Sequence, residues 1–320
     1  MLARALAALA AACLAASLGA AAPFPEPVAV GNGVHVFFGA QEEASRANWG
    51  HIANQGFIIA PRGVIVIDSG LSAAFAEHML RAIRARTAQP LAILILTWPM
   101  DEAIFGAAVF QDQGVPVYVH EAASRLIAER CQRCLESRTA ALGADIMAGT
   151  RVPRPERLFN GSQLLSVAGR RLELVDESGA AAPGSIAVWD RESGVLFAGG
   201  LASFGRVPET RDGNLAEWIR ALQRLSRIPA RRVIPAHGWA GSPADLKAVA
   251  AYLGGLERHT QEAYAAGASL LEAPRNVAVH EYRHWALYET IHPRNVHHAY
   301  VALERRELQN ELPASRASPP

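Results

Sequence analysis

Apolar and polar positions in the first part of the chain follow the patterns of paired strands and then of a helix. Residues 27–40 alternate around the turn "GNG", which predicts a hairpin. Residues 55–70 contain two apolar runs around the turn "PRG", and the second run ends in "DSG". Residues 71–86 carry apolar positions at helical spacing. This order predicts two strand pairs followed by a helix.

The rest of the chain alternates predicted strands with predicted helices. The β-branched run at residues 93–96 predicts a strand, and after the turn "WPMDE" a helix is expected to begin at Ala103. Further strands are predicted at residues 115–120, in three segments between 158 and 200, and at 231–238. Further helices are predicted at residues 121–144, 214–228 and 243–308. The order predicts an α/β (α+β) fold of two mixed sheets packed together, with helices outside.

The first 22 residues have the composition of a secretory signal peptide. Arg4 gives a short positive start, residues 5–19 are apolar but too few to span a bilayer, and residues 20–22 are small. Cleavage is therefore expected before Pro23, with an uncleaved anchor as the alternative. The expected product is periplasmic or secreted, with no membrane attachment after cleavage.

The remaining chain divides by pattern into three parts. Residues 23–255 are expected to form one catalytic-type domain and residues 256–310 a helical C-terminal extension. Residues 311–320 are polar and rich in proline, which predicts a disordered tail.

Charge and composition exclude one class of partner. Lys and Arg number 31 against 30 for Asp and Glu, and the arginines are scattered rather than gathered in a stripe. A nucleic-acid-binding protein usually concentrates its basic residues. No nucleic-acid partner is therefore expected.

Two cysteines of the mature chain form a C-x-x-C pair in a segment with helical pattern. Cys131 and Cys134 lie one helical turn apart, so both a structural disulfide and two unpaired thiols remain open. A redox-active pair normally sits at a helix N-terminus, and two cysteines alone do not make a structural zinc site. Redox catalysis by this pair is disfavoured.

Five segments in order resemble the metallo-β-lactamase fold superfamily. These are "DSG" at residues 68–70, "TWPMDEAIFG" at 97–106, and then "ESGAAAPGSIAVWD", "GVLFAGGL" and "VIPAHG". They stand where members of that superfamily carry the segments of a dinuclear metal site, at the edge of an αββα sandwich. The resemblance therefore implies that fold here, with the helical extension added.

Other stretches resemble one branch of the superfamily. "MAGTRVPRPERLF", "FGRVPETRDGNLAEWIRALQRL" and "WALYETIHPRNVHHAYVALERRE" are similar to exported quinoprotein relay system zinc metallohydrolases, which are relatives of sulfur-oxidation-cluster zinc hydrolases. The resemblance extends from Val28 to Glu307. It implies a periplasmic setting beside a quinoprotein oxidation system.

The metal-ligand motifs of the superfamily are degenerate in this chain. Aligned on Thr97 and Gly106, the superfamily's ligand positions fall on Trp98, Met100, Glu102, Ala103, Ala181, Gly200 and His237. Asp68 falls on the strand-end Asp that supports the ligands. Zinc in proteins is bound by His nitrogen, Cys sulfur or carboxylate oxygen, usually with three or four protein ligands. We therefore expect no metal and no other cofactor, although zinc is the cofactor of the resembled family.

Other readings of these positions remain as alternatives. Asp68, Asp101, Glu102 and His237 are expected to lie near one another, and their oxygens suit a weak Ca²⁺ or Mg²⁺ site. Met100 with His237 suits Cu(I). The favoured interpretation is that Trp98 and Met100 fill the space of two imidazoles and two ions.

The remaining histidines give a weak signal. His292, His297 and His298, preceded by His280 and His284, are expected on helix surfaces. Two others stand apart. His51 is expected near the mouth of the pocket, and His120 is expected to start a helix.

Two functional hypotheses follow. The first is an exported pseudoenzyme that binds an unknown small molecule or a periplasmic protein. The second is an active hydrolase for an ester, thioester or lactam-like substrate, which either depends on a metal or uses Glu102 or Asp101 with His237 for acid–base chemistry.

Overall fold

The computed structural model describes residues 24–311. The expected signal peptide and nearly all of the expected tail lie outside this range. Seven strands form the first sheet in sequential order: β1 (Val28–Gly31), β2 (Val34–Phe37), β3 (Gln55–Ala60), β4 (Gly63–Ile67), β5 (Leu91–Ile95), β6 (Val117–His120) and β7 (Arg157–Phe159). The second sheet has the order β12-β11-β10-β9-β8, formed by β8 (Gln163–Val167), β9 (Arg170–Asp176), β10 (Ile186–Asp190), β11 (Val195–Ser203) and β12 (Arg232–His237).

The helices within residues 24–311 connect and cover these sheets. They are α1 (Ala73–Arg84), α2 (Asp101–Ile104), α3 (Ala107–Asp112), α4 (Glu121–Leu142), α5 (Leu215–Leu225), α6 (Pro243–Ala265), α7 (Ala273–Asn276) and α8 (Tyr288–Glu311), with a short 3₁₀ helix at His280–Tyr282. Within the part of the chain described here, none of them combines the length and apolarity needed to cross a bilayer.

Three apolar cores make the molecule a four-layer sandwich. The core between the sheets contains residues such as Ile58, Ile95 and Ile234. A second core lies between the first sheet and its helices, with Phe75 of α1 at its centre. A third lies between the second sheet and α5, α6 and α8, around Trp218. The expected αββα architecture and the two predicted strand pairs at the N-terminal side are confirmed.

The helix after β5 differs from its prediction. It begins at Asp101 rather than Ala103, and it is interrupted before α3. A Cβ atom on Gly106 would lie 2.0 Å from the carbonyl oxygen of Ser69, so only glycine fits at the interruption. Ser69, in the loop after β4, therefore packs closely against Gly106 at the start of α3. This contact helps to hold the segment between β5 and α3, which includes Trp98.

The C-terminal part continues the sandwich rather than standing apart. The boundary expected after residue 255 falls inside α6, so the structure has no break there. The segment before α8 also pairs with the loop after β11, because Val207 donates its backbone N–H to the carbonyl of Ala286 at 3.1 Å. The extension thus helps to position that loop.

The C-x-x-C pair lies inside a helix, as predicted. Among residues 24–311, Cys131 and Cys134 of α4 are free thiols and do not form the disulfide with each other. Burial raises the pKa of the Cys131 thiol to about 12. This environment disfavours the reactive thiolate.

Candidate functional site

The candidate site lies at the edge where strands of both sheets end. β4 and β5 run parallel in the first sheet, and β11 and β12 run parallel in the second. Parallel neighbours bring their carboxyl ends to one edge of a sheet. Trp98 follows β5, Ser203 ends β11 and His237 ends β12. These side chains therefore converge.

A cavity of about 240 Å³ opens between them. Sequence-derived positions that line it are Trp98, Met100, Asp101, Glu102, Gly200 and His237. Ala103 and Ala181 are not part of its wall, since Ala103 packs in the core of the first sheet and Ala181 in the core of the second. The cavity thus stands at the expected place, with most of the expected residues around it.

Glu102 and His237 contact each other inside this cavity. The distance from His237 Nε2 to Glu102 Oε1 is 3.0 Å, and both residues are buried. Burial lowers the pKa of His237 well below its ordinary value, and the positive charge of Arg206 adds to this effect. The contact is therefore a hydrogen bond that a neutral imidazole donates through Nε2. Nδ1 is then left as an acceptor.

Trp98 occupies the space next to Gly200. A Cβ atom on Gly200 would lie 2.1 Å from Cε3 of the Trp98 indole, so any other residue at position 200 requires the indole to move. The indole also meets the imidazole of His237 edge-on, with ring centroids 6.0 Å apart. Trp98 is only 9% exposed. The tryptophan and the glycine therefore fit each other across the two sheets.

Asp101 is held by a different helix. Its carboxylate accepts a hydrogen bond of 2.5 Å from Nε of Arg138, which α4 brings to the cavity. The pKa of Asp101 is raised to about 6, chiefly by burial and also by the neighbouring Glu102, while Arg138 acts in the opposite direction. Asp101 is thus engaged in an ion pair and does not contact His237.

Asp68 lies outside the cavity wall, contrary to the expectation that it joins the acidic cluster. Its carboxylate accepts hydrogen bonds from the backbone N–H of Thr97 at 2.7 Å and from the Thr97 hydroxyl at 2.6 Å. Burial raises the pKa of Asp68 to about 7, and the two hydrogen bonds from Thr97 counteract the shift. Its φ of 56° is in the left-handed region. Asp68 therefore ties the end of β4 to the turn that carries Trp98.

The sequence reading missed Asn54, which joins both sheets behind His237. Its Nδ2 group donates to the carbonyls of Pro235 at 2.9 Å and Gly238 at 2.7 Å, and its Oδ1 accepts from Gly39 N–H at 3.0 Å. A lone asparagine after a predicted loop gives no signal of this role in the sequence.

Two further polar residues of the cavity were also missed. Arg206 is 3% exposed and Ser203 is 1% exposed. Among residues 24–311, neither Nε and Nη1 of Arg206 nor Oγ of Ser203 has a hydrogen-bond partner. Buried polar groups are normally paired, so these donors are unusual.

Three histidines are placed by the structure in different ways. His120 ends β6 and caps α4, accepting from Ala122 N–H at 3.1 Å, as expected for a helix start. The expectation for His51 is wrong, because its ring stacks on Phe75 at 4.2 Å in the core rather than at the cavity mouth. The surface expectation is also wrong for His292, which is buried and bonded to the Tyr252 hydroxyl at 3.0 Å.

The donor set around the cavity does not fit a metal ion. Within residues 24–311 no group of three or more His, Cys, Asp or Glu side chains is placed to hold one. Glu102 and His237 are bonded to each other, and Asp101 is paired with Arg138. Zinc, calcium and magnesium sites need more ligands than this arrangement offers.

The chain is similar to proteins of one family. The Metallo-beta-lactamase superfamily matches it over residues 49–237. Solved structures that resemble it include a metallo-beta-lactamase from Pontibacter korlensis, 23% identical, covering 72% of this chain and 98% of its own, with a TM-score of 0.58. The DIM-1 metallo-beta-lactamase is 19% identical, with coverages of 72% and 98% and a TM-score of 0.56.

A third similar structure extends further along the chain. A double mutant of the sec-alkyl sulfatase PisA1 is 15% identical and covers 92% of this chain and 52% of its own, with a TM-score of 0.67. At such identities the likeness is one of fold. No curated protein sequence matches the chain.

Proposed function

Because the chain belongs to the metallo-β-lactamase superfamily, we propose that it has lost the dinuclear zinc site of its relatives and acts as a non-catalytic binding module. Its ligand is a small molecule or a segment of a partner protein that enters the cavity of about 240 Å³. In this proposal the protein has the fold of the superfamily, but it binds a ligand in the cavity instead of hydrolysing a substrate with metal ions.

The chemistry of the former ligand positions supports this proposal. Indole, thioether, methyl and hydrogen side chains at Trp98, Met100, Ala181 and Gly200 offer none of the donors that zinc takes in proteins. Without a bound ion, no water is brought to a pKa of about 7 to act as nucleophile. Hydrolysis by the mechanism of the family is therefore not expected.

The fit between Trp98 and Gly200 is the observation that carries the proposal. An aspartate at position 200 would meet the indole at its Cβ, only 2.1 Å away. The replacements are therefore coupled, since the tryptophan fills the space and the glycine leaves room for it. Such complementary packing keeps the interior filled without steric strain, as expected for a stable site without metal.

Metal content is the direct test. The protein is expressed without its predicted signal peptide, purified and dialysed against buffer that contains trace zinc. Elemental analysis is expected to find far less than one zinc ion per chain. His237→Ala is the matched variant and is expected to leave the zinc content unchanged. One zinc ion or more per chain, lost in the variant, would overturn the proposal.

Export and pathway are parts of the same proposal. The composition of residues 1–22 supports export to the periplasm or beyond. The likeness of several segments to quinoprotein relay system metallohydrolases supports a place beside a quinoprotein oxidation system. Fractionation of cells that express the full chain tests the first part, and retention in the cytosol would contradict it.

A metal-free hydrolase is the second candidate, and the Glu102–His237 contact of 3.0 Å favours it. A neutral imidazole that donates to a carboxylate presents its other nitrogen as a base. Ester, thioester and lactam substrates should then be hydrolysed faster by the unmodified protein than by His237→Ala. We expect equal rates in both proteins, which would exclude this candidate, while a rate lost only in the variant would support it.

A further inference from the structure

The edge strands of the two sheets differ in how far they are protected from pairing with another chain. A free strand edge presents unpaired backbone N–H and C=O groups. Proteins usually protect such an edge with charged residues, proline, an irregular register or a covering segment. The two sheets of this protein end in β1 and β7 and in β8 and β12. These four strands can therefore be compared directly.

Three of the four edges carry such protection. β1 follows Pro27 and pairs with β2 in an irregular register. β7 is three residues long and begins with the exposed Arg157. β12 contains Pro235, and a loop covers its edge where Val233 and Gly241 exchange two backbone hydrogen bonds of 2.9 Å. These edges therefore disfavour the addition of a further strand.

The edge strand β8 has none of these features. Residues 160–169, which include it, contain no charged residue and no proline. All five residues of β8 pair regularly with β9, and no other strand among residues 24–311 pairs with it. Leu164 in this strand is 67% exposed. β8 is therefore a regular, uncharged and partly apolar edge, which is the kind that pairs between chains.

The turn between β8 and β9 determines which backbone groups of β8 face outward. Ala168 and Gly169 in this turn have φ values of 51° and 82°, as in the two-residue turns that join antiparallel strands. The residues that flank such a turn exchange both backbone hydrogen bonds, and bonded pairs then alternate along the ladder. Counted back from Val167, every second residue of β8 thus bonds to β9. Leu164 and Ser166 therefore direct their N–H and C=O groups to the free edge.

The charges beside β8 fit a second copy of the same strand. Leu164 lies opposite Glu173 of β9, and Ser166 lies opposite Arg171. If two copies of β8 pair antiparallel with Leu165 on the two-fold axis, each Leu164 lies opposite the partner's Ser166. Glu173 of one copy and Arg171 of the other then lie in one row across the sheet. An axis at Leu164 or Ser166 would instead place two like charges in one row, which is unfavourable.

The segments outside residues 24–311 are poor candidates for this additional strand. Residues 312–320 contain three prolines, and proline cannot donate a hydrogen bond to a ladder. Residues 1–22 are predicted to be removed as a signal peptide. A second copy of the chain is therefore the partner that fits the edge.

We propose that β8 is the contact between two copies of this chain in a symmetric dimer. The two strands pair antiparallel about a two-fold axis at Leu165, so the second sheets of both copies join into one continuous sheet. Leu164 exchanges two backbone hydrogen bonds with the partner's Ser166, and the symmetry repeats this pair. No residue of β8 lines the cavity, so the dimer does not depend on the function proposed above.

Sedimentation equilibrium of the chain without its predicted signal peptide tests the dimer. A contact through one short strand buries little surface, and small interfaces belong to weak complexes. We therefore expect a reversible equilibrium of monomer and dimer, with a dissociation constant of about 10–100 µM. A monomer at every concentration up to about 1 mM would overturn the proposal.

Three variants locate the contact. Leu164→Lys brings two like charges close to the axis and should weaken the dimer at least about tenfold. Ser166→Pro removes an outward N–H that β9 does not use, so it should weaken the dimer without adding a charge. Leu271→Lys makes the matched charge change at a residue that is 79% exposed elsewhere, and it should leave the dissociation constant unchanged. A dimer that both β8 variants leave intact would use another face and would overturn the proposal.

Amide hydrogen exchange distinguishes a second copy from a segment of the same chain. The amides of Leu165 and Val167 bond to β9 and should exchange slowly at every protein concentration. The amides of Leu164 and Ser166 should exchange quickly in dilute samples and slowly in concentrated ones. Slow exchange of these two amides at every concentration would mean that the chain covers its own edge, which would overturn the proposal.

Discussion

Replacing Gly200 by alanine is expected to destabilise the protein by about 3 kcal/mol in urea unfolding, at the upper end of overpacking penalties. The added Cβ would lie 2.1 Å from Cε3 and 2.3 Å from Cδ2 of the Trp98 indole. The indole is only 9% exposed, and it meets the imidazole of His237 edge-on with ring centroids 6.0 Å apart. It therefore has little room to move away, and the strain remains in the folded state.

A double-mutant cycle shows whether the indole is the cause. Trp98→Ala alone should cost about 3 kcal/mol, because it deletes a largely buried aromatic side chain. In the double variant the alanine at position 200 meets no indole, so the pair should cost little more than Trp98→Ala alone. Fully additive penalties would contradict the proposed fit.

A glycine elsewhere serves as the control. Gly254 lies in the middle of α6, and the nearest atom to an added Cβ is 4.0 Å away. Gly254→Ala should therefore stabilise the protein by up to about 1 kcal/mol through helix propensity. If alanine destabilises the protein at position 200 and stabilises it at position 254, the room for the added Cβ atom determines the change in unfolding free energy. The loss of backbone freedom at glycine would then not be the cause.

The same packing bears on the proposed loss of the metal site. If Gly200→Asp is tolerated only after Trp98 is replaced, an aspartate cannot be placed at position 200 by one substitution. Restoring a donor at one position then destabilises the protein before any ion is gained. Under the proposed function, the packing of Trp98 would therefore stabilise the site without a metal ion.

The fold was predictable because its signals are local. Alternation around "GNG" and the two apolar runs around "PRG" mark the strands, and the tight turn in each pair sets the pairing. The position of the cavity was expected from the resemblance to the superfamily's site segments, and it agrees with the places of Trp98 after β5 and of His237 at the end of β12. Both predictions needed only short stretches of sequence.

The partners within the site were not predictable. The contact between Trp98 and Gly200 joins the loop after β5 to β11, and the bond between Glu102 and His237 joins α2 to β12. Among the described residues, Nε and Nη1 of Arg206 have no hydrogen-bond partner, and this too depends on which acid each neighbouring arginine binds. A single sequence does not show which residues far apart along the chain contact each other, because hydrophobic pattern and structural propensity describe only neighbours along the chain.

The error at His292 has the same cause. The spacing of the C-terminal histidines argues against a shared helix face, but α8 packs on α6 and buries one of them anyway. His292 is held there by the Tyr252 hydroxyl and by the Val277 carbonyl at 3.2 Å. Tertiary packing decided its burial, and its polar atoms found partners in the core.

Replacing Asn54 by alanine is expected to cost about 3 kcal/mol or more of unfolding free energy, measured in urea. The change leaves the carbonyls of Pro235 and Gly238 and the N–H of Gly39 without the partners they have at 2.9, 2.7 and 3.0 Å. Asn276→Ala is the matched control, because Asn276 is exposed at the end of α7, and it should change stability by less than about 0.5 kcal/mol.

Hydrogen exchange separates a local role of Asn54 from a general loss of stability. Its two donated bonds flank His237 on either side, so their loss should open this turn first. Amides of residues 236–239 are expected to exchange faster in Asn54→Ala by a larger factor than amides in the middle of β5. Uniform acceleration would mean that Asn54 only supports the fold. Selective acceleration would mean that it holds the histidine in the wall of the cavity, and that a residue remote from any ligand sets the geometry in which Glu102 and His237 meet.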